Sequence, residues 1–282
     1  MSRPVALLGM ILSATLAVPA LAQDQDWSTI RIATEGAYAP WNFTDASGEL
    51  VGFELDLARN LCERMEAECE IVAQAWDGII PALQAGKYDA IMAGMSITDE
   101  RKEVITFSRD YAATPAKFVV LKDSPMADFS TEMERINLAE VSDEEQAAVG
   151  QLVEQFRGMS IGVQTATTHE NFLREYLGEE ADIRTYDTQE NLDLDLQAGR
   201  VDAALASMSY WVPLLEGDDG AEFTMVGPAM TGGPFGEGVG VGIRMEDQAL
   251  ADKFTAAIDE AIADGTVKEL AEEWFGFDAS AK

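Results

Sequence analysis

Residues 83–96, LQAGKYDAIMAGMS, return in the second half of the chain as residues 196–209, LQAGRVDAALASMS. Nine of the fourteen positions are identical, which indicates an internal duplication better than chance. Each copy is typical of a helix that ends at a glycine, Gly86 or Gly199, followed by a short apolar strand and a loop of small residues. The repeat therefore predicts two units built in the same way.

The elements upstream of each copy follow one order. In each half they are strand, helix, strand, helix and strand, predicted at 30–33, 53–65, 70–73, 78–84 and 88–92, and again at 160–163, 168–176, 182–185, 189–197 and 201–205. This order predicts an α/β fold of two lobes, each a mostly parallel sheet flanked by helices. Ligands of such sheets bind beyond the carboxyl ends of the strands, so we expect a ligand cleft between the lobes.

Four loops follow the strands that would face this cleft. They are residues 34–38 and 93–96 in the first lobe and residues 164–168 and 206–209 in the second. We expect these loops to line one cleft if the lobes face each other.

Composition loosens at 112–115 and in the glycine-rich stretch 227–242, which predicts the crossings between the lobes. We therefore assign residues 23–113 and 233–282 to the first lobe and residues 114–232 to the second. Within the second lobe, residues 126–157 break the symmetry of the two halves and are acidic. We expect them to form a surface insertion, a loop followed by a helix near 143–156.

The first 22 residues are typical of a cleavable signal peptide. Arg3 is followed by an apolar, uncharged run over 5–18 and by the small residues of Ala20-Leu21-Ala22. The apolar run is too short for a comfortable membrane span. We expect cleavage before Gln23 and export to the periplasm.

Charge and side-chain chemistry exclude some functions. A net charge of −32 repels nucleic acid and anionic lipid, although such a surface most simply reflects solubility. Cys62 and Cys69 suggest a disulfide in an exported protein, with two reduced thiols as the alternative. The single histidine, His169, is interpreted as an exposed residue early in a helix. We expect no metal and no cofactor, because the chain has no Cys or His cluster.

Arg101 and the segment 166–168 have side chains and backbone groups suited to an anion. The Arg101 guanidinium could hold a carboxylate through two parallel hydrogen bonds, or form a surface ion pair with Glu100 or Glu103. Ala166-Thr167-Thr168 stands at a helix start, where free backbone N–H groups suit an anionic group and where threonine is also a common cap.

Aromatic and acidic residues of the first lobe suit a cationic side chain. Tyr38 and Trp76 could sandwich an apolar or guanidinium group, and Glu35 could pair with a cationic tip. Ordinary packing of the two rings and a solvated carboxylate are the alternatives.

Several motifs in order resemble the polar amino-acid binding proteins of ABC importers, above all the lysine/arginine/ornithine and histidine binders. The resemblance covers nearly the whole mature chain and rests on RIATEGAYAPWNF (31–43), GFELDLARNLCERM (52–65), WDGIIPAL (76–83), YDAIMAGMSITDERKEVITFS (88–108), GVQTATTHENF (162–172) and GVGVGIRMED (238–247). It implies a periplasmic, two-lobed binding protein without catalytic residues. A small amino-acid-like ligand and an inner-membrane permease with ATPase subunits are the implied partners, and a monomer is the implied state.

The resemblance also implies roles for individual residues. Tyr38 and Trp76 would sandwich the ligand side chain, while Arg101 and the backbone of Thr168 would bind its α-carboxylate. Gly94 and Ser96, in the loop that also contains Met95, would receive the α-amino end. Glu35 would meet a basic tip, and Cys62 and Cys69 fall where relatives have a disulfide. The implied binding set is completed by neighbours in the second-lobe loops, Ala166, Thr167 and Ser207.

Ser207 departs from the pattern of the basic amino-acid binders, which have an aspartate there for the α-ammonium. Loss of that charged partner would cost about 1.5–3 kcal/mol for a free amino acid. The chain is still more similar to the nopaline and octopine binders, whose ligands are N-substituted arginine derivatives. We expect the small Ser207 to leave room for such a substituent.

Two other classes of function are alternatives. A cyclohexadienyl dehydratase-like enzyme would share the architecture, but among the four loops only Glu35 is acidic and we expect no histidine there. A ligand-sensing module of a larger receptor would need a membrane span or signalling domain, and neither is evident. A binder of a different polar amino acid stays open.

Overall fold

The computed structural model describes residues 27–217 and 220–282. The signal peptide predicted over residues 1–22 lies outside them. Two larger sheets, each with its own apolar clusters, organise the described residues. Within this part of the chain, no helix combines the length and apolar character that a membrane crossing requires.

The first sheet has five strands. In spatial order they are β5 (Glu68–Ala73), β1 (Thr29–Thr34), β6 (Ala90–Ile91), β14 (Val239–Ile243) and β7 (Thr106–Ala112). Strand β1 pairs in parallel with β5 and β6, whereas β14 runs antiparallel to β6 and β7. Ile32 and Ala90 enter one apolar cluster and Ala33 and Ile91 another, so both faces of the sheet are covered.

The second sheet repeats this plan with one more strand. Its spatial order is β11 (Asp182–Tyr186), β10 (Ser160–Gln164), β12 (Ala203–Ser207), β8 (Ala116–Leu121), β13 (Phe223–Thr231) and β9 (Arg135–Asn137). The strands β11, β10 and β12 are parallel, and β8 is antiparallel to β12 and β13. The two-lobed α/β architecture with parallel-rich sheets is therefore confirmed, and the antiparallel strands are those next to the crossings.

Helices cover both sheets. Those packed with the first sheet are α1 (Phe53–Arg64), α2 (Ile79–Gln84), α3 (Asp99–Lys102), α8 (Gln248–Ala263) and α9 (Thr266–Phe275). The second has α4 (Asp143–Phe156), α5 (Thr168–Leu177), α6 (Gln189–Gln197) and α7 (Met208–Glu216). Gly86 and Gly199 follow α2 and α6 with φ of 73° and 64°, as the two predicted caps require.

Smaller features join the first lobe. A three-stranded sheet, β2 (Ala37–Tyr38), β3 (Asn42–Thr44) and β4 (Leu50–Val51), was not predicted, because its strands are too short to leave a period. A disulfide joins Cys62 of α1 to Cys69 of β5, which confirms the predicted pair.

Residues 126–157 are built into the second lobe. The predicted helix is present as α4, but β9 pairs with the edge strand β13. Ile136, Leu152 and Phe156 are buried in the apolar cluster of this lobe. The expected surface insertion is therefore wrong in this respect: the acidic residues face solvent, while apolar residues at helical spacing pack against the sheet.

The chain passes between the sheets twice, from β7 to β8 between residues 112 and 116, and from β13 to β14 between residues 231 and 239. The lobe boundaries at 113/114 and 232/233 fall in these connections and stay predictions.

Candidate functional site

A cavity of about 330 Å³ lies between the two sheets. Each of the four predicted loops contributes to its wall. The residues singled out from the sequence that line it are Glu35, Tyr38, Trp76, Gly94, Ser96, Arg101, Thr167, Thr168 and Ser207. The parallel strands of both sheets end at this cavity, which is why loops distant in sequence meet there.

Arg101 is a half-buried cation without an ion pair among the described residues. Its guanidinium lies over the ring of Trp76, 5.3 Å from the centroid, and Nη1 donates to the carbonyl oxygen of Ser96 at 2.8 Å. Burial lowers the pKa of Arg101 to about 10 and outweighs the opposing effect of the Glu100 carboxylate. The alternative of a surface ion pair with Glu100 or Glu103 is not what the structure has, so the charge stays available to an anion.

The start of α5 faces Arg101 across the cavity. Thr167 is the cap: its hydroxyl accepts from the N–H of Glu170 at 3.2 Å. Ala166 has a φ of 56°, and its carbonyl oxygen accepts from Nη2 of Arg101 at 3.3 Å. Thr168, the first residue of the helix, lines the cavity, and its N–H has no hydrogen-bond partner within the described ranges. A carboxylate there would meet both this N–H and Arg101.

Glu35 is a buried carboxylate, 8% exposed, that also has no ion pair among the residues described. Nε2 of Gln164, in the other lobe, donates to its Oε1 at 2.6 Å. Burial raises the pKa of Glu35 to about 7, because the hydrogen bond from Gln164 compensates only part of the lost hydration and Glu54 adds repulsion. A cation bound beside Glu35 would remove this penalty.

The two aromatic residues have other partners as well. The ring of Tyr38 stacks on that of Tyr210 in the second lobe, with centroids 5.1 Å apart and planes at 9°. Nε1 of Trp76 donates to the carbonyl oxygen of Thr165 at 3.1 Å. Both rings therefore line the cavity and also hold the two lobes together.

The three residues of the loop 94–96 have different environments. The N–H of Gly94 donates to Oε1 of the buried Glu54 at 2.7 Å, which fixes the loop, and Ser96 presents a hydroxyl without a partner among the described groups. Met95 is fully buried in the first lobe and does not line the cavity. Alternation of side chains along the loop sends it to the core.

His169 is not the exposed residue that the sequence suggested. It lines the cavity half-buried, with Nε2 3.5 Å from the hydroxyl oxygen of Ser207. Burial and the positive charge of Arg101 together lower the pKa of His169 to about 4, so the imidazole is neutral at neutral pH. His169 lines the cavity because α5 turns this side chain toward the cleft. A single histidine in a sequence has no pattern from which this position could be predicted.

Several other residues that line the cavity were not predicted from the sequence. Asn137 and Ala139 come from the segment expected at the surface, and Phe235 and Glu237 come from the second crossing. The glycine-rich composition of 227–242 was the available signal, because a crossing must pass beside the cleft. Glu237 is a second acidic residue of the wall, but it already pairs with Lys102 at 2.6 Å. Gln189 and Trp41 also line the cavity and were not predicted to do so.

In the described ranges, no group of three or more His, Cys, Asp or Glu side chains could hold a metal ion. A cation, a carboxylate, helix N–H groups and aromatic faces are what line the cavity.

Comparison with known proteins places these features in a family. The chain is 41% identical to an octopine-binding periplasmic protein of Rhizobium meliloti, over 97% of this chain and 99% of that protein. It is 34% identical to an L-arginine-binding protein of Pseudomonas aeruginosa, over 98% of each. A crystal structure of a His/Glu/Gln/Arg/opine family-binding protein from Silicibacter pomeroyi in complex with lysine matches 90% of this chain and 100% of that chain, with 35% identity and a TM-score of 0.71. The family model of bacterial extracellular solute-binding proteins, family 3, matches residues 30–277, and the chain belongs to that family.

Proposed function

We propose that this chain captures a basic amino acid, or an N-substituted derivative of one, in the periplasm and delivers it to the permease of an ABC importer. One observation carries the proposal: a single cavity contains a half-buried cation, Arg101, and a buried carboxylate, Glu35, neither with an ion-pair partner among the described residues. An amino acid with a cationic side chain supplies the missing charge to each.

The shape of the charge distribution supports this ligand class. Arg101 and the N–H of Thr168 would hold the α-carboxylate, and Glu35 would meet the cationic tip. Acidic groups near Glu35, namely Asp187 and Glu190, raise its pKa further and would favour a cation there. The relatives named for octopine, arginine and bound lysine agree with this class.

Ser207 is proposed to select between free and N-substituted ligands. Its hydroxyl faces the neutral His169 and provides no negative charge for an α-ammonium. A secondary amine with a bulky substituent loses less from this absence than a free ammonium, and the serine leaves space in the wall.

The chain is a binding protein and not an enzyme, because its family and its named relatives are binding proteins. This decides against the dehydratase alternative. Export by cleavage before Gln23, an inner-membrane ABC permease with ATPase subunits as partner and a monomeric state belong to the proposal.

The test is calorimetric titration of residues 23–282, stripped of carried ligand, with arginine, ornithine, lysine, octopine and nopaline. A Ser207→Asp variant should gain about tenfold for free arginine relative to octopine, since it restores a charge-assisted partner. Ser207→Gly, which copies Gly94 of the first repeat, is the matched control and should leave the ratio unchanged. An unchanged ratio in Ser207→Asp would remove Ser207 as the selector, and no binding across the panel would remove the ligand class.

A further inference from the structure

A second cavity, of about 360 Å³, lies in the second lobe. It sits between residues 129–135 and the part of β13 where the pairing with β8 shifts register between Val226 and Met230. Apolar side chains form much of its wall, and the polar part includes two cations. The apolar residues are Phe129, Met133, Met208 and Met225, and the polar ones include Lys117, Ser130, Thr131, Glu134 and Arg135.

Among the described residues, cations that are half-buried and also lack an ion pair are few. Most described Lys and Arg side chains lie within 4 Å of a carboxylate oxygen, and those that do not are Lys87, Arg101, Lys117, Lys122, Arg135, Lys253 and Lys282. Of these, only Arg101 and Lys117 are half-buried; the others are exposed. Arg101 lines the ligand cavity, so Lys117 is the one described cation in this condition that the proposed function does not use.

The Lys117 ammonium is held by a hydrogen bond and has further N–H donors that make no hydrogen bond with the described residues. Its ammonium donates one hydrogen bond, to the carbonyl oxygen of Gly227 in the wall of the cavity. Burial lowers the pKa of Lys117; Glu134 opposes this shift and Arg135 adds to it. A half-buried ammonium that lacks a counter-ion and has a second cation nearby is poorly solvated, and an anion would relieve both effects.

The second cavity shares a wall with the ligand cavity but is separate from it. Ala116 and Ser207 are paired across β8 and β12 and line the ligand cavity, while the next residues, Lys117 and Met208, line the second one. Binding in the second cavity therefore does not depend on which solute the ligand cavity takes.

We propose that this second cavity binds a small organic carboxylate, with Lys117 as its ion-pair partner and Arg135 as a second cation at the rim. The thioether and aromatic side chains of Met133, Met225 and Phe129 take the apolar body of the molecule. The carboxylate group, rather than a bare inorganic anion, is favoured because apolar walls surround the cation.

The probe is benzoate, titrated into ¹⁵N-labelled protein while the amide resonances of Phe129, Gly227 and Met208 are followed. We expect these resonances to shift with one dissociation constant in the wild type and in Arg101→Gln, in which a carboxylate site at the ligand cavity is weakened. In Lys117→Gln the affinity should fall about tenfold or more, since a hydrogen bond to a charge is lost. Benzamide, the uncharged isostere, should bind at least as weakly to the wild type as benzoate does to Lys117→Gln.

Arg135→Gln keeps the test decisive if Lys117→Gln does not fold, because the Arg135 side chain is exposed and makes no hydrogen bond or ion pair with the rest of the described chain. It should weaken benzoate a few-fold and leave the ligand affinity of the main cavity unchanged. The proposal is overturned if the three resonances do not move at about 50 mM benzoate, well above a millimolar dissociation constant. It is also overturned if benzamide matches benzoate, or if benzoate acts only where Arg101 is intact.

Discussion

The two copies of the repeat, residues 83–96 and 196–209, have the same backbone pairing but contribute different groups to the site. Asp89 and Asp202 occupy equivalent positions, and each accepts a hydrogen bond from a backbone N–H, that of Arg31 at 3.0 Å or of Ser160 at 2.8 Å. Each also donates its own N–H to the carbonyl oxygen of that same residue. The duplication has preserved the pairing that brings the first strand of each lobe beside the repeat.

The copies part at Gly94 and Ser207. Gly94 has a φ of 61°, which glycine adopts readily, and the chain turns toward Arg101 through a loop. Ser207 has a φ of −69° and stands directly before α7. The first lobe provides the charged groups of the cavity that have no ion pair among the described residues, Arg101 and Glu35, while the second provides mostly hydroxyls, amides and helix N–H groups. Similar scaffolds therefore do not imply similar chemistry.

Removal of the first-lobe cation should have the largest effect. Arg101→Gln leaves the ligand carboxylate without its paired hydrogen bonds, and affinity for a tight-binding member of the amino-acid panel should fall about 100-fold or more. Calorimetry measures this. Arg59→Gln, on the exposed face of α1, is the control and should bind as the wild type does. A loss below about threefold in Arg101→Gln would mean that the second lobe alone holds the carboxylate.

Substitution of the two equivalent aspartates should lower the stability of the protein by different amounts. Asp89 is buried and also bonds the guanidinium groups of Arg31 and Arg244, whereas Asp202 is exposed. In urea unfolding, Asp89→Asn should lose about 2 kcal/mol, because its amide cannot replace a carboxylate between two cations. Asp202→Asn should lose about 0.5 kcal/mol. Equal losses would show that the backbone pairing, common to both, is what matters.

The same pair has a pH signature. Burial alone would raise the pKa of Asp89, but its bonds to Arg31 and Arg244 outweigh it and the net shift is downward. A lowered pKa stabilises the fold above the pKa of the unfolded carboxyl, about 3.9, and this stabilisation is lost as pH falls through the folded value. The difference in the free energy of unfolding between wild type and Asp89→Asn should therefore disappear below about pH 4. A gap that persists there would assign it to packing.

The first-lobe carboxylate should make ligand binding depend on pH. With a pKa of about 7, Glu35 is partly protonated in the ligand-free protein, and a cationic ligand requires the ionised form. Affinity measured by calorimetry should fall about tenfold from pH 8 to pH 6, because Glu35 takes up one proton over this range and must lose it to bind the ligand. Glu35→Gln should bind more weakly at pH 8 and lose this dependence. A slope retained in Glu35→Gln would point to another group, although His169, with a pKa of about 4, lies outside this window.

The smallest effects should come from the exposed positions that differ between the copies, Lys87 and Arg200. Arg200 pairs with Asp195 at 2.6 Å but is solvent-exposed, and Lys87 has no ion pair among the described residues. Arg200→Gln should lose at most about 0.5 kcal/mol in urea unfolding and Lys87→Gln about nothing. A larger loss from Arg200→Gln would mean that this pair matters to the second lobe in a way its exposure does not suggest.

The sequence by itself determined the architecture. The repeat, the alternation of strands and helices and the glycines after α2 and α6 are local signals, since a helical period or a cap is written in neighbouring residues. The four loops that meet at the cavity could be named for the same reason, because strand ends in an α/β sheet have a fixed relation to the cleft. Membership of the family likewise followed from ordered motifs along the chain.

Only the tertiary structure decided which side chains reach the cavity and what state they are in. His169 turned inward, Met95 turned to the core, and Asn137 entered the wall from a segment expected at the surface. Burial raised the pKa of Glu35, and a hydrogen bond from Gln164, a residue of the other lobe, offset part of that shift. These properties come from contacts between residues far apart in sequence, and the burial and charge they produce leave no local pattern to read.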